Sequence, residues 1–511
     1  MSVAENRWLL SPPSTETIRS TLGTSTSIAM PSRVFSSVSV DGSAPTFTLT
    51  VTDSHLLWAT NAVALRLVYA ATPSLDNATM LTVRHLSQPR ATHKPISIAI
   101  AFKLANSGDS DALRSAIAST LFAPEKPVLF FVNPFGGVRH ASKLFDSIVA
   151  PMMRFACIPF VSIETTHKGH AEEVLQSTDV HQYSAIVAVS GDGVFHEVCN
   201  ALMSRRDWRA ARKIPIGTIG AGSSNAMNQN LGHLFVEYGT LSIIKGTTKP
   251  MDLISVTLHD SKKVVYSHLN MAFAYLADLD IESDRFRWMG REKVTVSALL
   301  RLFNLRKYRA NVGIAPLDGP IPPPSPQSDL NDTTILDPAQ SDPTDITQCY
   351  GPKRHFEVTP LNDLQTFPIQ LTAANDPLSF FAASNLPWIA SDFQASHTAA
   401  IDGGFLDVAY GGKDIRRINM LSSFVSGSLP EDGSKHGIER VKARGFRLQP
   451  FGWSWNMDRW KGGAAGEERE KARLVKSSGG HVAVSGEPFG METVTVEVHE
   501  KMVTVFAASP K

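Results

Sequence analysis

Residues 185–198 read Ala-Ile-Val-Ala-Val-Ser-Gly-Asp-Gly-Val-Phe-His-Glu-Val, an apolar run that ends in a glycine turn around Asp192. Beyond the turn, apolar residues recur at helical spacing from Val194 to Leu202, which predicts a helix directly after a buried strand. An apolar run followed by a glycine loop occurs twice more, at residues 128–137 and 214–225. Strands that are apolar on both faces and separated by helices are typical of an open α/β sheet.

The three glycine loops are expected to meet, because ligands bind at the carboxyl ends of the strands in such sheets. Glycine lets backbone N–H groups approach a phosphate closely, and a helix N-terminus adds partial positive charge. One glycine pair alone is more often a tight turn, but three in succession favour a polyphosphate cradle. None has the P-loop or dinucleotide-binding spacing. Asp192 would repel a bare phosphate, so it indicates a metal contact or a proton acceptor for an attacking hydroxyl.

The composition excludes several classes of protein. Lys and Arg total 49 against 48 Asp and Glu, which argues against a nucleic-acid-binding protein that acts through bulk positive charge. The three cysteines form no Cys-x-x-Cys pair, so a disulfide framework or thiolate zinc site is not expected, and a reducing compartment is favoured. Apolar runs stay below the roughly 18 residues of a membrane span, and the N-terminus lacks a secretory pattern. We therefore expect a cytoplasmic protein.

Shifts in composition divide the chain into four parts. Residues 1–45, rich in Ser, Thr and Pro, are predicted to be a disordered arm. Residues 46–122 alternate in short runs and then form a helix from Asp109 to about Leu121, which fits a small β-rich module, with a PH-like fold as one option. Residues 125–248 form the α/β domain, and residues 249–511 are predicted to be a β-sandwich.

Residues 316–352 stand out within the predicted sandwich as a Pro-rich insertion. Proline at that density does not fit a helix or sheet interior, so we expect a surface loop there. Ser325 precedes a proline in this loop and is a candidate for proline-directed phosphorylation. An apolar slot between the two sheets of the sandwich is the expected site for an acyl chain, although each apolar side chain there also suits an ordinary core.

Taken together, the motifs resemble the nucleotide-binding motifs of the diacylglycerol-kinase superfamily. The resemblance rests on the three glycine loops, and the His-Glu pair after the Gly-Asp-Gly turn is most similar to the sphingosine (long-chain-base) kinases. It extends over residues 125–300 and resumes at residues 400–403, 446–450 and 484–488. It implies a lipid kinase that uses ATP and Mg²⁺, with an α/β nucleotide-binding domain beside a β-sandwich that holds the lipid.

The resemblance also implies roles for individual residues. Asp192 would be the catalytic carboxylate that takes a proton from the primary hydroxyl of a sphingoid base. Asp192 and Glu487 would contact the metal, and Ser190, Asp192 and Asp280 would contact the substrate. The residues that would line the nucleotide are Asn133, Pro134, Phe135, Gly136, Gly137, Thr165, Gly169, Gly191, Gly193, Glu197, Gly222, Ser223, Ser224, Arg287, Lys293, Ser485, Gly486 and Glu487.

Physical chemistry is compatible with the implied head-group site. A carboxylate at Asp280 would pair with both the ammonium and the hydroxyl of a sphingoid base. Basic side chains at Arg287 and Lys293 would neutralise charge that develops on the transferring phosphate. Without the resemblance, the acidic residues between positions 278 and 284 fit the solvated face of a helix better.

Three positions depart from the pattern of the family. Val138 stands where a basic residue is usual, Ser224 replaces a loop glycine and Ser485 replaces an acid. If the position of Ser224 requires a positive φ, the loop is strained or shifted. These departures keep a weakly catalytic lipid-binding scaffold open as an alternative, beside a ceramide or diacylglycerol kinase. The expected partners are a sphingoid-base substrate and the surface of intracellular or plasma membranes, with a homodimer as an option.

Overall fold

The structure is a computed structural model that describes most of the chain between residues 33 and 508. The described residues are 33–40, 47–52, 55–58, 61–64, 67–74, 76–87, 94–137, 139–282, 296–298, 300–301, 305–319, 352, 354, 367, 369–372, 377–412, 415, 417–432, 436–454 and 481–508. Val138, Arg287, Lys293, Ser325 and the side chain of Asp280 lie outside them, and so does most of the Pro-rich insertion. The predictions made for these residues stay predictions.

The N-terminal part of the chain is an antiparallel sheet followed by a helix, α1 (Ser107–Ala118). Its strands are β1 (Arg33–Val40), β2 (Phe47–Val51), β3 (His55–Trp58), β4 (Asn61–Ala64), β5 (Val68–Pro73), β6 (Met80–Ser87) and β7 (Ile96–Lys103). The strand order among the described residues is β4-β3-β2-β1-β7-β6-β5. Leu113 and Ile117 of α1 pack on this sheet. Strands followed by one helix match the expected element order, and the PH-like assignment stays a prediction.

Two sequence expectations for this module are corrected by the structure. Strand β1 lies inside the segment expected to be a disordered arm, so that expectation is wrong for residues 33–40. A register shift between Phe35 and Val38 interrupts the alternation by which a strand is recognised. Helix α1 begins at Ser107 instead of Asp109, because the Asn106 side chain accepts a hydrogen bond from the Asp109 N–H at 2.8 Å and so caps the helix.

The α/β lobe, residues 125–248, contains four parallel strands covered by helices on both faces. The strands are β8 (Val128–Val132), β9 (Phe160–Glu164), β10 (Ala185–Ser190) and β11 (Ile216–Gly220), in the order β11-β10-β8-β9. The helices are α2 (Ala141–Leu144), α3 (Ala150–Phe155), α4 (His170–Ser177), α5 (Asp192–Met203), α6 (Trp208–Ala211), α7 (Ala226–Asn230) and α8 (Val236–Lys245). A π-helical stretch (Phe145–Val149) joins α2 to α3, and a 3₁₀ turn (Val180–Gln182) follows α4.

The β lobe comprises the strands and helices after residue 247. Its strands are β12 (Thr248–Leu258), β13 (Lys263–Ser267), β14 (Asn270–Ala274), β15 (Lys307–Pro316), β16 (Ile369–Thr372), β17 (Phe380–Ser384), β18 (Trp388–Ala390), β19 (Phe393–Gln394), β20 (Leu406–Gly411), β21 (Glu439–Ser454), β22 (Val482–Val484), β23 (Glu487–Phe489) and β24 (Val494–Phe506). Its helices include α9 (Tyr275–Glu282) and α10 (Arg417–Ser426), and residues 296–298 and 300–301 are also helical.

Strand β24 joins the two lobes into one continuous sheet. It pairs antiparallel with β12 and β21, and Val505 near its end pairs in parallel with Ile216 of β11. The strands of the β lobe are thus hydrogen-bonded in continuity with the α/β sheet, which agrees with the expected β-rich second part of the chain; its arrangement as a sandwich of two sheets stays a prediction. These strands enclose a core that includes Phe273, Phe381 and Phe446. The expected acyl-chain slot inside the sandwich is thus filled with side chains.

An apolar cavity lies on the opposite face of the β lobe. There α9 and α10 pack against a second core that includes Ala272, Phe380 and Ala409 of strands β14, β17 and β20. Six of the residues that line the cavity are Tyr275, Leu276, Phe380, Phe393, Met420 and Leu429. The cavity is small, with room for about one water molecule, so it marks an apolar gap under the helices and not a formed ligand site.

Candidate active site

Backbone contacts bring the three glycine loops together at the carboxyl ends of β8, β10 and β11. A Cβ atom on Gly222 would lie 2.4 Å from the Cα of Gly191, and one on Gly137 would lie 2.7 Å from the carbonyl carbon of Gly222. No side chain fits at such distances. Gly137 also has a φ of 55°, which favours glycine. The loops whose meeting the sequence predicts therefore do form one site.

Two asparagines shape the loops from within. The Asn133 Oδ1 accepts hydrogen bonds from the N–H groups of Phe135 and Gly136 at 3.0 and 3.1 Å. The Asn225 Oδ1 accepts from the N–H of Gly222 at 3.1 Å, and its Nδ2 donates to the Gly222 carbonyl at 3.0 Å. Such local bonds hold turns in place. Ser224, whose φ is not positive, fits without backbone strain, so the strain considered for this position is absent.

Asp192 is the first residue of α5 and is only 8% exposed. Its Oδ2 accepts a hydrogen bond from the Ala226 N–H at 2.9 Å, and its Oδ1 accepts one from the Met227 N–H at 2.8 Å. The carboxylate therefore caps the N-terminus of α7. Burial raises the pKa of Asp192, while the hydrogen bonds from Met227, Ala226 and the Ser224 side chain oppose the rise. A buried carboxylate with a raised pKa is suited to accept a proton.

Glu197 is bound to backbone of the same lobe. Its Oε1 accepts from the Gly169 N–H at 2.9 Å and its Oε2 from the Ala171 N–H at 3.2 Å. Gly169, with a φ of 87°, is the N-cap of α4. Burial raises the pKa of Glu197, and the two backbone bonds oppose that rise. Glu197 thus holds the loop that follows Thr165, a buried residue whose N–H donates to the Val132 carbonyl at 2.8 Å.

His196, between these two acids in sequence, is not a proton carrier at neutral pH. Burial lowers its pKa to about 4. Its ring lies 6.2 Å from that of His268, and burial also lowers the pKa of His268 well below the ordinary value. His196 is therefore neutral at pH 7 but holds a proton only weakly, which makes it a poor base beside Asp192.

The turn that joins β22 to β23 carries the Ser485-Gly486-Glu487 motif. Glu487 forms an ion pair with Lys168, which comes from the loop before α4. The Ser485 and Gly486 φ values are 49° and 79°, and the Ser485 Oγ lies 2.5 Å from the Ser267 Oγ. The α/β lobe and the β lobe therefore meet at this motif. Among the described residues, no three His, Cys, Asp or Glu side chains are grouped as metal ligands.

Helix α9 is held by a buried ionic network. Asp278 accepts a hydrogen bond from the Tyr308 hydroxyl at 2.7 Å, and the Arg306 Nη1 lies 3.1 Å from Glu282 and 3.3 Å from Asp278. Arg301 also pairs with Glu282. The alternative of a solvated acidic face is therefore wrong for Asp278 and Glu282, which are both buried.

Sequence reasoning did not find the backbone partners of Asp192 or the basic residues of the α9 network. Ala226 and Met227 contribute only N–H groups, which no residue type reveals. Their signal was Asn225, a residue type common at the start of helices. Arg306 and Tyr308 lie about 30 residues after the acids they bind, and no local periodicity connects such distant positions.

Comparison with known proteins agrees with this geometry. Residues 127–256 match the diacylglycerol kinase catalytic domain family. Sphingosine kinase 1 of Arabidopsis thaliana is 32% identical over 359 residues, which are 69% of this chain and 68% of that protein. Sphingoid long chain base kinase 4 of Schizosaccharomyces pombe is 30% identical over 63% of this chain and 67% of its own length. A solved structure of a putative diacylglycerol kinase from Bacillus anthracis covers 75% of this chain and 98% of its own, with 14% identity and a TM-score of 0.47.

The three glycine loops around Asp192 and the matched catalytic domain define the class, which is the kinases with a diacylglycerol-kinase-type catalytic domain. Within this class, the 32% identity to the Arabidopsis thaliana sphingosine kinase, across more than two thirds of both chains, identifies the family. The chain belongs to the family of sphingosine and sphingoid long-chain-base kinases. The resemblance noted from the motifs is thereby confirmed.

Proposed function

We propose that the protein transfers the γ-phosphate of ATP to the primary hydroxyl of a sphingoid long-chain base. Membership of the family supports the reaction and the substrate class. The observation that carries the proposal is the position of Asp192, whose buried carboxylate lies where three glycine loops meet. The proposed nucleotide site and the proposed proton acceptor for the alcohol would then be adjacent.

Asp192 is proposed to be the general base. Each of its carboxylate oxygens accepts one backbone N–H bond, which leaves lone pairs for the hydroxyl proton of the lipid. As the lipid oxygen bonds to the γ-phosphorus, the bond to the β-phosphate oxygen breaks, ADP leaves, and the hydroxyl proton moves to Asp192. Burial raises the pKa of this carboxyl group. A general base is most effective when its pKa lies near the working pH, and the rise is in that direction.

Glycine loops and the N-terminus of α5 are proposed to bind the phosphates. Backbone N–H groups in such loops point at anions, and the first turn of a helix adds partial positive charge. The residues expected to take part are those carried over from the family motifs. Arg287 and Lys293 would add positive charge from the segment after α9.

Mg²⁺ is proposed as the cofactor, because it usually binds one or two carboxylates together with nucleotide phosphates. Asp192 fits that mode, because each of its oxygens accepts one backbone bond and keeps a lone pair. Glu487 stays the second candidate ligand, although it is paired with Lys168. When bound, the ion neutralises charge on the phosphates.

The lipid is proposed to bind beneath α9 and α10. The cavity there is apolar, as an alkyl chain requires. Asp280 on α9 would pair with the ammonium of the head group. Ile418 and Val425 on α10 are 65% and 81% exposed, and a spacing of seven residues places them on one side of the helix. We propose that this side faces a membrane surface; no helix among the described residues could itself span one.

The proposed reaction can be tested with radiolabelled ATP and three lipids: sphingosine, ceramide and diacylglycerol. Sphingosine should be labelled and ceramide should not, because N-acylation removes the ammonium that Asp280 would bind. Labelling of ceramide or diacylglycerol in preference to sphingosine would show that the substrate is a neutral lipid and not a sphingoid base. Absence of any labelled lipid, with ATP still bound, would favour the lipid-binding scaffold.

A further inference from the structure

Asn230, the last residue of α7, joins the α/β lobe to the β lobe. Its Nδ2 donates to the Trp388 carbonyl at 2.8 Å, and its Oδ1 accepts from the Trp388 N–H at 3.0 Å. The side-chain amide thus satisfies both backbone groups of one residue, as a neighbouring strand would. Trp388 begins β18, and its partner strand β19 contains Phe393, which lines the apolar cavity.

Asn200 on α5 makes the same kind of bridge. Its Nδ2 donates to the Tyr266 carbonyl at 2.7 Å, and its Oδ1 accepts from the Tyr266 N–H at 2.8 Å. Tyr266 belongs to β13 of the β lobe. Asn200 is buried. Removal of its side-chain amide would leave the N–H and carbonyl groups of Tyr266 without these partners, and unpaired buried polar groups lower the free energy of unfolding.

Both bridges start from helices that hold Asp192. Helix α5 begins at Asp192, and the first two N–H groups of α7 bind its carboxylate. Each of these helices therefore carries one asparagine whose amide is paired with the backbone of the opposite lobe. Helix α7 is only five residues long, so a shift at Trp388 can reach the carboxylate through little more than one helical turn.

We propose that Asn200 and Asn230 are positioning residues that align the two lobes at Asp192. The inference rests on the proposed function, in which the α/β lobe binds ATP and the β lobe binds the lipid. Phosphate transfer requires the lipid hydroxyl, the γ-phosphorus and the Asp192 carboxylate to be aligned with one another. A displacement of the reacting groups by about 1 Å is enough to lower a reaction rate by about a hundredfold. Two hydrogen bonds at each bridge therefore support catalysis as well as stability.

Helix α7 offers a matched control. Asn228 lies two positions before Asn230 and is buried, whereas Asn230 is half-buried. Its amide bonds only within its own lobe, to Thr218 of β11, at 3.2 and 3.3 Å. Asn228→Ala and Asn230→Ala therefore remove the same chemical group from the same helix, and the bridge between lobes is lost only in Asn230→Ala.

The experiment measures kcat for sphingosine, the Kd of ATP, and lipid-free ATP hydrolysis in the full-length chain. Asn230→Ala should lower kcat about 10- to 100-fold, with the Kd of ATP unchanged, because Asn230 is not among the residues proposed to line the nucleotide. Lipid-free hydrolysis should fall less than kcat, because water does not have to be aligned by the β lobe. Asn228→Ala should keep kcat within about threefold of wild type. Asn230→Asp keeps the acceptor for the Trp388 N–H, loses only the donor to the Trp388 carbonyl, and should have an intermediate kcat.

Two outcomes would overturn the alignment role. One is an unchanged kcat in Asn230→Ala and Asn230→Asp; the other is an equal loss of kcat in Asn228→Ala. Both are read against an active wild type, so they leave the proposed function intact. A wild-type protein that labels no lipid while binding ATP would instead refute the proposed function.

Discussion

The Asp192 Oδ1 lies 2.8 Å from the backbone nitrogen of Met227 and accepts its hydrogen bond. The carboxylate proposed to take the proton of the lipid is therefore also the cap of the short helix α7. This double use explains how an acid can lie between glycine loops that favour anions: the N–H groups of Ala226 and Met227 stabilise its charge. Catalysis and loop structure are consequently coupled at one side chain.

Replacement of Asp192 by Asn should lower lipid phosphorylation by about 10²- to 10⁴-fold, because the amide accepts no proton. The Kd of ATP should stay close to the wild-type value. Radiolabel transfer to sphingosine and equilibrium binding of ATP measure the two quantities. Since Asn loses one of the two caps on α7, thermal unfolding must be followed in parallel. Near-normal turnover in a folded variant would show that Asp192 is not the general base.

Activity should fall at acidic pH as Asp192 becomes protonated. Burial raises the pKa of this group, so the acid limb of kcat/KM should lie at higher pH than an exposed aspartate would give. Burial raises the pKa of Glu197 as well, and the Glu197→Gln variant separates the two groups. The limb should persist in that variant. Its disappearance would assign the limb to Glu197 instead.

Gly222→Ala should destabilise the protein, because the new Cβ would lie 2.4 Å from the Gly191 Cα. Overpacking of this kind costs about 1–3 kcal/mol of the free energy of unfolding. Gly193→Ala adds its Cβ to open space in α5 and should raise the free energy of unfolding by about 0.5–1 kcal/mol. Denaturant titration measures both variants. Equal effects would show that the loops are not packed backbone against backbone.

Arg306→Met should lower the free energy of unfolding by about 3–5 kcal/mol, because it leaves the buried Asp278 and Glu282 without a full set of partners. Tyr308→Phe, which removes only the hydroxyl bound to Asp278, should cost about 1–3 kcal/mol. Asp278→Asn in the Arg306→Met background should recover part of the loss. Strict additivity of the two substitutions would mean that these residues do not act as a network.

Asp280→Asn should raise the KM for sphingosine while the KM for ATP stays unchanged, because the amide no longer pairs with the lipid ammonium. The matched substitution Asp278→Asn should act mainly on the free energy of unfolding. A KM for sphingosine that does not change in Asp280→Asn would refute the head-group assignment.

Much of the site could be predicted from sequence because its determinants are local. The glycine loops follow directly from apolar runs, and the turn around Asp192 needs no distant partner to be recognised. Residues 33–40 were missed because a bulge interrupts their alternation. The acids of α9 were ambiguous because a buried and a solvated acidic face have the same helical period; only the contacts of Arg306 and Tyr308 separate them.

The sequence by itself determined that three glycine loops follow buried parallel strands and that an aspartate lies in one of them, since strand and loop are defined over about ten neighbouring residues. Only the tertiary structure decided which groups surround that aspartate. The N–H donors of α7, the pairing of Asn230 with Trp388 and the strand β24 that joins the lobes depend on residues far apart in the chain. Such contacts form only when the chain has folded, so no local pattern encodes them.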